Sequence, residues 1–364
     1  MAKRRSRGEG SIYFLKSKGL WVSKITLPDG SKKVKYGKSQ KEVREHHQTA
    51  LNQLRQGLLA KDDTITVSEF LNRYMESVGK HTLRPRTVEA YSSLIRVHID
   101  PGIGHIKLVQ LRPDHLQAFY SQKLDAGLSK RTVHFIHSVL HKVLDQAMKW
   151  GMVPRNVADF VQAPKAEKKS FAFYTKDQLN LFLDTVKGHR FYPIYVLAVY
   201  CGFREGEVLG IHHEDIDLQN GVINVRHAVL SLKGGLVITE PKTESSKRAV
   251  TLPPTALFVL KRHLEQLKTN QGLVFTTSSG KPISPRNLVR HFKSALKEAN
   301  LPDIRFHDLR HSHASLLLAA GVNPKIVQER LGHSQISLTL DTYSHVIPSL
   351  QDEAAEKVEE ILNP

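Results

Sequence analysis

The chain has 364 residues and a formal net charge of +18, from 53 lysines and arginines against 35 aspartates and glutamates. This length predicts two or three domains, and so strong a positive charge indicates a polyanionic partner, most often nucleic acid. With one cysteine the chain forms no internal disulfide, and no apolar run is long enough for a membrane span or a signal peptide. We therefore expect a cytoplasmic protein without a membrane partner.

Residues 1–60 carry most of the excess charge, with fourteen lysines and arginines against four acidic residues. The pattern and the turn Pro28-Asp29-Gly30 predict a small sheet with three strands, at residues 11–14, 21–27 and 32–36. A capping box at Ser39 opens a helix that would cover one face of this sheet with Val43, Ala50, Leu51, Leu54 and Leu58. The basic ribbon can enter a DNA major groove, and a sheet with a solvated lysine face is the alternative.

The pattern of residues 61–165 is helical throughout, after a short linker at residues 61–63. A capping box of Thr66 with Glu69 opens the first helix, and four apolar stripes of helical period predict a bundle core. Basic residues beside the stripes suit phosphate contacts, although each alone is equally well explained as a solvated surface charge: Lys80, His81, Arg84, Arg86, Lys130 and Arg131.

Residues 170–348 follow a second linker and predict a mainly helical α+β region. Two helices lead to Cys201, where apolar neighbours predict a buried, unreactive thiol, and Arg204 begins the next helix after a glycine turn. Short strands are predicted at residues 215–218, 222–225, 236–239 and 248–252. Lys242 lies in the segment joining the last two strands, where Lys247 is a second candidate for the same role.

Three helix breaks divide residues 307–343. Gly321 is a natural end for the first helix, and Asn323-Pro324 starts a second one with an N-cap residue and a proline at the first helical position. Gly332 ends this second helix, and Ser334 can cap a last short one. The pattern therefore predicts three helices separated by tight turns.

Four polar side chains stand out along these helices. His307 and Arg310 are three residues apart on one helix face, His333 follows a helix end, and Tyr343 lies on the last helix. Two imidazoles, a guanidinium and a phenol suit one polar site. The alternative, on these residues alone, is a capped helix pair with two surface histidines and a tyrosine packed by its ring.

Other histidines are interpreted without a catalytic role. The spacing of His307, His311 and His313 does not place all three on one helix face and no cysteine stands near, so no metal site is predicted there. His311 and His313 are interpreted as local structural groups. His212 and His213 precede a strand and receive no role.

Six residues fall in a set order along the chain: Arg204 in GFREGEVLG, Lys242 in PKT, His307 and Arg310 in HDLRH, His333 in LGH, and Tyr343 in LDTYSH. This order of Arg, Lys, His-x-x-Arg, His and Tyr resembles the tyrosine recombinases, the phage integrase family. The resemblance covers about residues 174–348, and the two regions ahead of it also look like that family.

The resemblance implies a multidomain fold. We expect a small three-stranded β-sheet plus helix as an arm-type DNA-binding domain at residues 1–60, and an all-α, SAM-like core-binding domain at residues 61–165. An α+β, mainly α, catalytic domain is expected at residues 170–348, followed by a C-terminal tail at residues 349–364. The amphipathic tail would pack on its own domain or dock on a neighbouring subunit.

The resemblance also implies a chemistry. Tyr343 would attack the scissile phosphate, giving a 3′-phosphotyrosyl bond and a free 5′-hydroxyl, because positive neighbours favour its phenolate. Arg204 and Arg310 would hold the non-bridging oxygens through their planar, permanently charged groups. For Arg204, a surface ion pair with Glu207 is the alternative. His307 and His333 would donate further hydrogen bonds, and His307 is also a candidate to manage the tyrosine proton.

Lys242 would protonate the leaving 5′-oxygen as the general acid. Because the covalent link keeps the energy of the broken bond, neither ATP, metal nor other cofactor is expected. The partners implied are double-stranded DNA with core and arm attachment sites, further copies of the chain in a tetramer on DNA, and, as further possibilities, a directionality factor and a host DNA-bending protein. The implied setting is the nucleoid of a bacterial host cell.

This pattern favours a recombinase that integrates and excises a phage genome or another mobile element. The arm-like N-terminal domain favours it over a chromosome-dimer resolvase, which in this family typically lacks that domain. A non-catalytic DNA-binding regulator on the same scaffold is the alternative, and the presence of Tyr343 and both arginines argues against it. A relaxing topoisomerase is disfavoured by the two separate DNA-binding modules.

Overall fold

The computed structural model describes residues 10–26, 32–55, 64–165, 173–240, 247–343 and 357–363. The chain forms two compact units, Met1–Lys168 and Lys169–Pro364, and each contains a large hydrophobic core of its own. Helices predominate in both units. Among the described residues, no helix combines the length and the apolar character that crossing a bilayer requires.

The first unit begins with the predicted sheet and helix, which are confirmed. The elements are β1 (Ser11–Leu15), β2 (Leu20–Thr26), β3 (Lys32–Gly37) and α1 (Gln40–Arg55), and the strands are antiparallel in the order β1-β2-β3. The hydroxyl of Ser39 accepts a hydrogen bond from the Glu42 N–H at 3.1 Å, as expected of an N-cap. The predicted turn at Pro28-Asp29-Gly30 and the helix residue Leu58 lie outside the described residues.

The faces of this sheet differ from the expected basic ribbon. Ser23 Oγ lies 2.8 Å from a histidine of α1, so Ser23 points toward the helix, and its register partner Lys35 lies on the same side. Val22 and its partners Tyr13 and Tyr36 lie on the outer face, where both tyrosines are exposed. Lysines of the edge strand β3 can reach solvent past the helix because their side chains are long. The outer face therefore exposes two aromatic rings and Val34.

The rest of the first unit is helical, as predicted. Its helices are α2 (Val67–Tyr74), α3 (Lys80–Thr82), α4 (Pro85–Leu94), α5 (Asp100–Ile103), α6 (Pro113–Asp125) and α7 (Lys130–Lys149). Thr66 and Glu69 form the predicted capping box, and the four apolar stripes line the core. Wider π turns precede α3 and α5. Pro101 lies in the first turn of α5, where its missing N–H is not needed.

The second unit is α+β and mainly helical, which confirms the predicted class. Its helices are α8 (Lys176–Thr185), α9 (Tyr192–Cys201), α10 (Glu205–Leu209), α11 (Pro254–Glu265), α12 (Pro285–Glu298), α13 (Phe306–Ala319), α14 (Pro324–Leu331) and α15 (Ile336–Tyr343). One antiparallel sheet has the order β4 (Ile216–Asp217), β5 (Val222–Val225), β8 (Arg248–Thr251). A separate hairpin consists of β6 (Ala228–Leu232) and β7 (Gly235–Thr239). Helix α11 and strand β6 were not predicted.

Helix α9 forms the centre of this unit. It is apolar on all sides, which is the pattern of a buried helix, and it packs against α11 and α13. Burial raises the pKa of the Cys201 thiol to about 12, in agreement with the predicted unreactive thiol. Gly202 ends the helix with a φ of 69°, and a Cβ there would lie 2.8 Å from His313 and Leu331. Only glycine therefore fits the turn that leads from α9 to Arg204.

Candidate active site

Arg204 is the N-cap residue of α10 and is oriented by two partners. Its backbone N–H donates to Glu207 Oε2 at 3.0 Å, and its Nη1 donates to Glu207 Oε1 at 2.5 Å. Its Nη2 donates to the Gly332 carbonyl at 3.3 Å. The side chain is 33 % exposed, so these contacts fix its direction and leave it accessible to a ligand.

Glu207 is the buried counter-ion of the site, with 4 % exposure. Arg248, at the start of β8, donates to both of its oxygens, at 3.2 and 2.9 Å. Burial alone would raise the pKa of Glu207, but Arg248, followed by Arg204 and Arg310, outweighs it and lowers the pKa to about 2. The ion pair of Arg204 with Glu207, which on sequence alone was the alternative to a catalytic role, therefore coexists with an accessible guanidinium.

Arg310, on α13, is 1 % exposed and joins three elements. Its Nη1 donates to the Gly202 carbonyl at 2.7 Å, and its Nη2 donates to the Leu331 carbonyl. Leu331 and Gly332 are consecutive, so the two site arginines bind neighbouring carbonyls at the end of α14, directly before His333. The turn after α9, helix α13 and the end of α14 meet at this point.

His307 lies in the first turn of α13, and its side chain is exposed. The ring meets that of His311 edge to face, with the centroids 4.9 Å apart. Partial desolvation, with smaller effects of His311, Arg310 and Arg204, lowers the pKa of His307 to about 4. Desolvation also lowers the pKa of His311 to about 4, against the opposing effect of Asp308. At neutral pH both rings are therefore uncharged, and each has one N–H donor and one acceptor nitrogen.

His333 follows Gly332, whose φ of 64° ends α14. Its Nδ1 lies 2.9 Å from Oγ1 of Thr339, a fully buried residue of α15. Desolvation, with Arg310 and Arg204, lowers the pKa of His333 to about 3. Tyr343 is the last residue of α15, about one helical turn beyond Thr339. The contact between His333 and Thr339 therefore links the site to the helix that carries Tyr343.

The helix breaks of this region agree with the predicted pattern. Gly321 has a φ of 76° just beyond the end of α13. Asn323 caps α14 by accepting a hydrogen bond from the Lys325 N–H at 2.8 Å, and Pro324 occupies the first turn. Helix α15 begins at Ile336, two residues beyond the expected cap Ser334.

The structure brings together four of the six predicted residues: Arg204, His307, Arg310 and His333. Tyr343 lies on the adjoining helix α15, which packs against α13 and α14. Lys242 lies outside the described residues. The second lysine candidate, Lys247, forms an ion pair with Glu240 at 3.1 Å. The catalytic roles of all six residues stay predictions.

Three supporting residues were not predicted from the sequence: Arg248, Arg330 and Thr339. Arg330 donates through Nε to His313 Nε2 at 3.2 Å, and His313 Nδ1 lies 3.0 Å from the Val199 carbonyl. This buried histidine thus joins α9, α13 and α14, in agreement with a structural role. Arg248 and Arg330 contact residues far away in sequence, and the six-residue spacing of His333 and Thr339 has no helical or strand period.

Two family models match the chain. Residues 172–349 match the model described as the phage integrase family, and residues 66–124 match the model of the phage integrase N-terminal SAM-like domain. The first match contains all six predicted site residues, and the second falls within the helical part of the first unit.

Relatives of the chain match it over most of its length. It is 28 % identical, over 356 residues, to a protein named tyrosine recombinase XerC-like from Caldanaerobacter subterraneus subsp. tengcongensis, covering 90 % of this chain and 91 % of the relative. It is 29 % identical, over 294 residues, to the ICEBs1 integrase of Bacillus subtilis strain 168, covering 77 % of this chain and 79 % of the relative.

Solved structures share the fold. A Tn1549 transposon integrase in complex with a circular intermediate DNA superposes with a TM-score of 0.71 at 23 % identity, covering 82 % of this chain and all of that chain. A lambda integrase tetramer bound to a Holliday junction gives a TM-score of 0.59 at 20 % identity, covering 90 % of this chain and 96 % of that chain.

Proposed function

This chain belongs to the phage integrase family of tyrosine recombinases, the site-specific DNA recombinases, and we propose that it integrates and excises a mobile element through a covalent bond between Tyr343 and DNA. One observation carries the proposal. Arg204 and Arg310 bind consecutive carbonyls at the end of α14, directly before His333. Two permanent cations and an imidazole thereby converge beside the helix that carries the tyrosine, which suits a phosphodiester in its transition state.

The two arginines have different roles in this proposal. Arg204 is partly exposed and reaches a non-bridging oxygen of the scissile phosphate directly. Arg310 is buried and supplies a fixed positive charge, which acts strongly where water is excluded. Both are anchored before DNA binds, so little reorganisation is needed when charge develops on the phosphate.

The neutral histidines supply single hydrogen bonds. When the Thr339 hydroxyl donates to His333 Nδ1, the ring carries its proton on Nε2 and donates it toward the phosphate. His307 is exposed and accepts the phenolic proton as the Tyr343 oxygen bonds to phosphorus. Lys242 gives a proton to the 5′-oxygen as its bond to phosphorus breaks, so the leaving strand ends in a hydroxyl.

The assembly follows from the reaction. Exchange between two duplexes breaks four strands, and each break needs one Tyr343, so we infer a homo-tetramer on double-stranded DNA with core and arm sites. Residues 357–362 are helical and expose Ile361 and Leu362, which would dock on a neighbouring copy. A directionality factor and a host DNA-bending protein would complete the complex. We place it at the nucleoid in the cytoplasm of a bacterial host, where chromosomal DNA lies.

A nicked suicide substrate tests the proposal. The element's core site is first identified by sequencing the junctions of the integrated element, and the substrate is built so that the cleaved strand dissociates. Wild-type protein should accumulate a covalent adduct, whereas Tyr343→Phe should form none because the phenyl ring has no nucleophile. Tyr192→Phe on α9 is the matched control and should form the adduct normally.

The outcomes separate the recombinase from the regulator. If the wild-type protein binds a verified core site and forms no adduct there, the recombinase proposal is wrong and the non-catalytic regulator becomes the remaining function. An adduct formed equally by Tyr343→Phe would show that another residue is the nucleophile.

A further inference from the structure

Three potential metal ligands meet in the second unit, apart from the six predicted catalytic residues. His212 caps a single 3₁₀ turn after α10 and Asp215 is the last residue of that turn, while His227 lies in the two-residue link between β5 and β6. One ligand atom of each residue lies within 4.8 Å of the other two. Among the residues that the structure describes, this is the one group of three such side chains with that geometry.

Asp215 gives this group its unusual character. Its side chain is 1 % exposed, and its Oδ1 is buried without a hydrogen-bond partner. Its Oδ2 accepts a hydrogen bond from the His212 backbone N–H at 3.2 Å, whereas Oδ1 has lost its water and gained no hydrogen-bond donor, which is unfavourable. A cation at this position would supply the missing interaction.

The histidines are arranged as metal ligands commonly are. The Nδ1 of His212 lies 3.0 Å from the Gly210 carbonyl, and the tautomer that donates this bond keeps a lone pair on Nε2. The Nδ1 of His227 lies 3.4 Å from Asp215 Oδ2, which is long for a hydrogen bond. It is close to the separation of about 3.3 Å between two ligands that each lie about 2.0 Å from a tetrahedral ion.

We propose that His212, Asp215 and His227 bind a divalent transition-metal ion, of which Zn²⁺ is the prime candidate. Two imidazoles and a carboxylate suit Zn²⁺, and water would complete a tetrahedral shell. Arg226 is the competing cation, because its Nη1 lies 3.7 Å from Asp215 Oδ1. Its side chain is 56 % exposed and can move into solvent when the ion binds.

The site is structural. It fixes the segment after α10 to the end of β5, and Arg204 is the N-cap residue of α10. A bound ion therefore stabilises the elements that hold the phosphate-binding arginine without taking part in the chemistry. Because metal binds the folded chain and not the unfolded one, zinc should raise the melting temperature of this unit by several degrees.

Metal titration of the full-length chain tests the site. The chelator-treated protein is titrated with Zn²⁺ by calorimetry and with Co²⁺ by visible absorption, which reports tetrahedral coordination. Wild type should bind one ion per chain with a rise in melting temperature, and His227→Gln should weaken that binding at least tenfold. His141→Gln is the matched control, because His141 also lies beside a carboxylate, at 2.7 Å from Asp159, and should leave the tight site intact.

Arg226→Gln keeps the proposal testable if His227→Gln does not fold. Removal of the competing cation should tighten Zn²⁺ binding severalfold, since the carboxylate is then free for the metal. Equal affinity for wild type, His227→Gln and Arg226→Gln would overturn the site. The proposed site would also be overturned if His141→Gln lost the bound ion while His227→Gln kept it. Neither result bears on formation of the Tyr343 adduct, so the two proposals fail independently.

Discussion

Arg310 is the largest side chain that is fully buried among the described residues. Arg204, Arg248 and Arg310 all lower the pKa of a single buried carboxylate, that of Glu207. A phosphate diester bound here would place its negative charge beside these guanidiniums, which suits a site that stabilises charge developing on phosphate.

The general acid can be identified at the level of one residue. We expect Lys242→Met to reduce cleavage of an ordinary core site by about two orders of magnitude, because no proton reaches the leaving oxygen. A substrate with sulfur in place of the bridging 5′-oxygen should restore cleavage, since a thiolate leaves without a proton. Single-turnover rates of adduct formation on the two substrates measure the effect.

Two variants serve as controls for this experiment. Lys247→Met should cleave both substrates at the wild-type rate, because its ion pair with Glu240 gives it a structural partner. Arg204→Lys should be slow on both, because it loses a phosphate contact that sulfur does not replace. If the sulfur substrate instead restored cleavage by Lys247→Met and gave no gain with Lys242→Met, the general acid would be Lys247.

The histidines predict a pH dependence of stability. The pKa values of His307 and His311 are lowered to about 4, and those of His313 and His333 to about 3, from an ordinary value of 6.5. Below about pH 6.5 the unfolded chain therefore binds protons that the folded chain does not. The free energy of unfolding should be constant above this pH and should fall as the pH is lowered from about 6.5 toward 4.

Denaturation of the full-length chain between pH 7.5 and pH 5 measures this fall. Far-UV circular dichroism follows both units, while fluorescence follows the first unit alone, because both tryptophans, Trp21 and Trp150, belong to it. A double variant with glutamine at His307 and His311 should show a shallower decline. An identical decline in this variant would mean that other groups control the transition.

At the scale of elements, local sequence signals predicted the helices whose ends are marked by a capping residue or a glycine. Thr66 with Glu69, Gly202, Asn323 and Gly332 mark the helix ends where the pattern places them. Strand β6 was missed because only two residues separate it from β5, without a glycine, proline or asparagine to mark the change of sheet. Helix α11 was missed because two consecutive prolines look like a loop, although a proline is tolerated in a first helical turn.

Contacts between elements could not be predicted in the same way. The pairing of Arg248 with Glu207, and of Thr339 with His333, joins residues whose spacing has no helical or strand period. The sequence carries the types of the site residues and their order. The positions of their supports depend on how α10, β8, α14 and α15 pack, which no local rule specifies.

Substitution of Glu207 tests how α10 and β8 pack, because its carboxylate joins them. Glu207→Gln should lower the free energy of unfolding of the second unit by about 3 kcal/mol, because it leaves the guanidinium of Arg248, 6 % exposed, without a full counter-ion. Far-UV circular dichroism should show the loss, and the fluorescence transition of the first unit should not change. The exposed Glu265→Gln on α11 is the control, with a change within about 0.5 kcal/mol. A comparable loss in both variants would contradict a specific role for the buried carboxylate.

At the scale of the whole molecule, positive charge is concentrated at the N-terminal end of the sequence, which contains none of the six predicted catalytic residues. Residues 1–60 hold fourteen lysines and arginines against four acidic residues, so this short segment carries more than half of the net charge of +18. Its sheet exposes Tyr13 and Tyr36 on the face away from α1. Aromatic side chains with surrounding lysines suit a groove or backbone contact with DNA more than a solvated surface.

Deletion of residues 1–60 tests whether this segment recognises a second class of DNA site. The truncated protein should lose binding to arm sites and keep suicide-substrate cleavage at the core site, because α2 to α15 are intact. Binding of the full chain to DNA should weaken steeply as salt rises, and the slope should be smaller after the deletion, since fewer phosphate counterions are released. Titrations at several salt concentrations measure both slopes.

A point variant shows whether the outer face of the sheet makes the contact. Tyr36→Ala removes an exposed ring from β3 and should weaken arm-site binding while core-site cleavage stays at the wild-type level. Lys35→Ala changes the adjacent residue, which lies on the α1 side, and should reduce affinity less if the outer face binds DNA. Equal arm-site affinity in the truncated and full-length proteins would refute an arm-binding role for residues 1–60, whatever the point variants do.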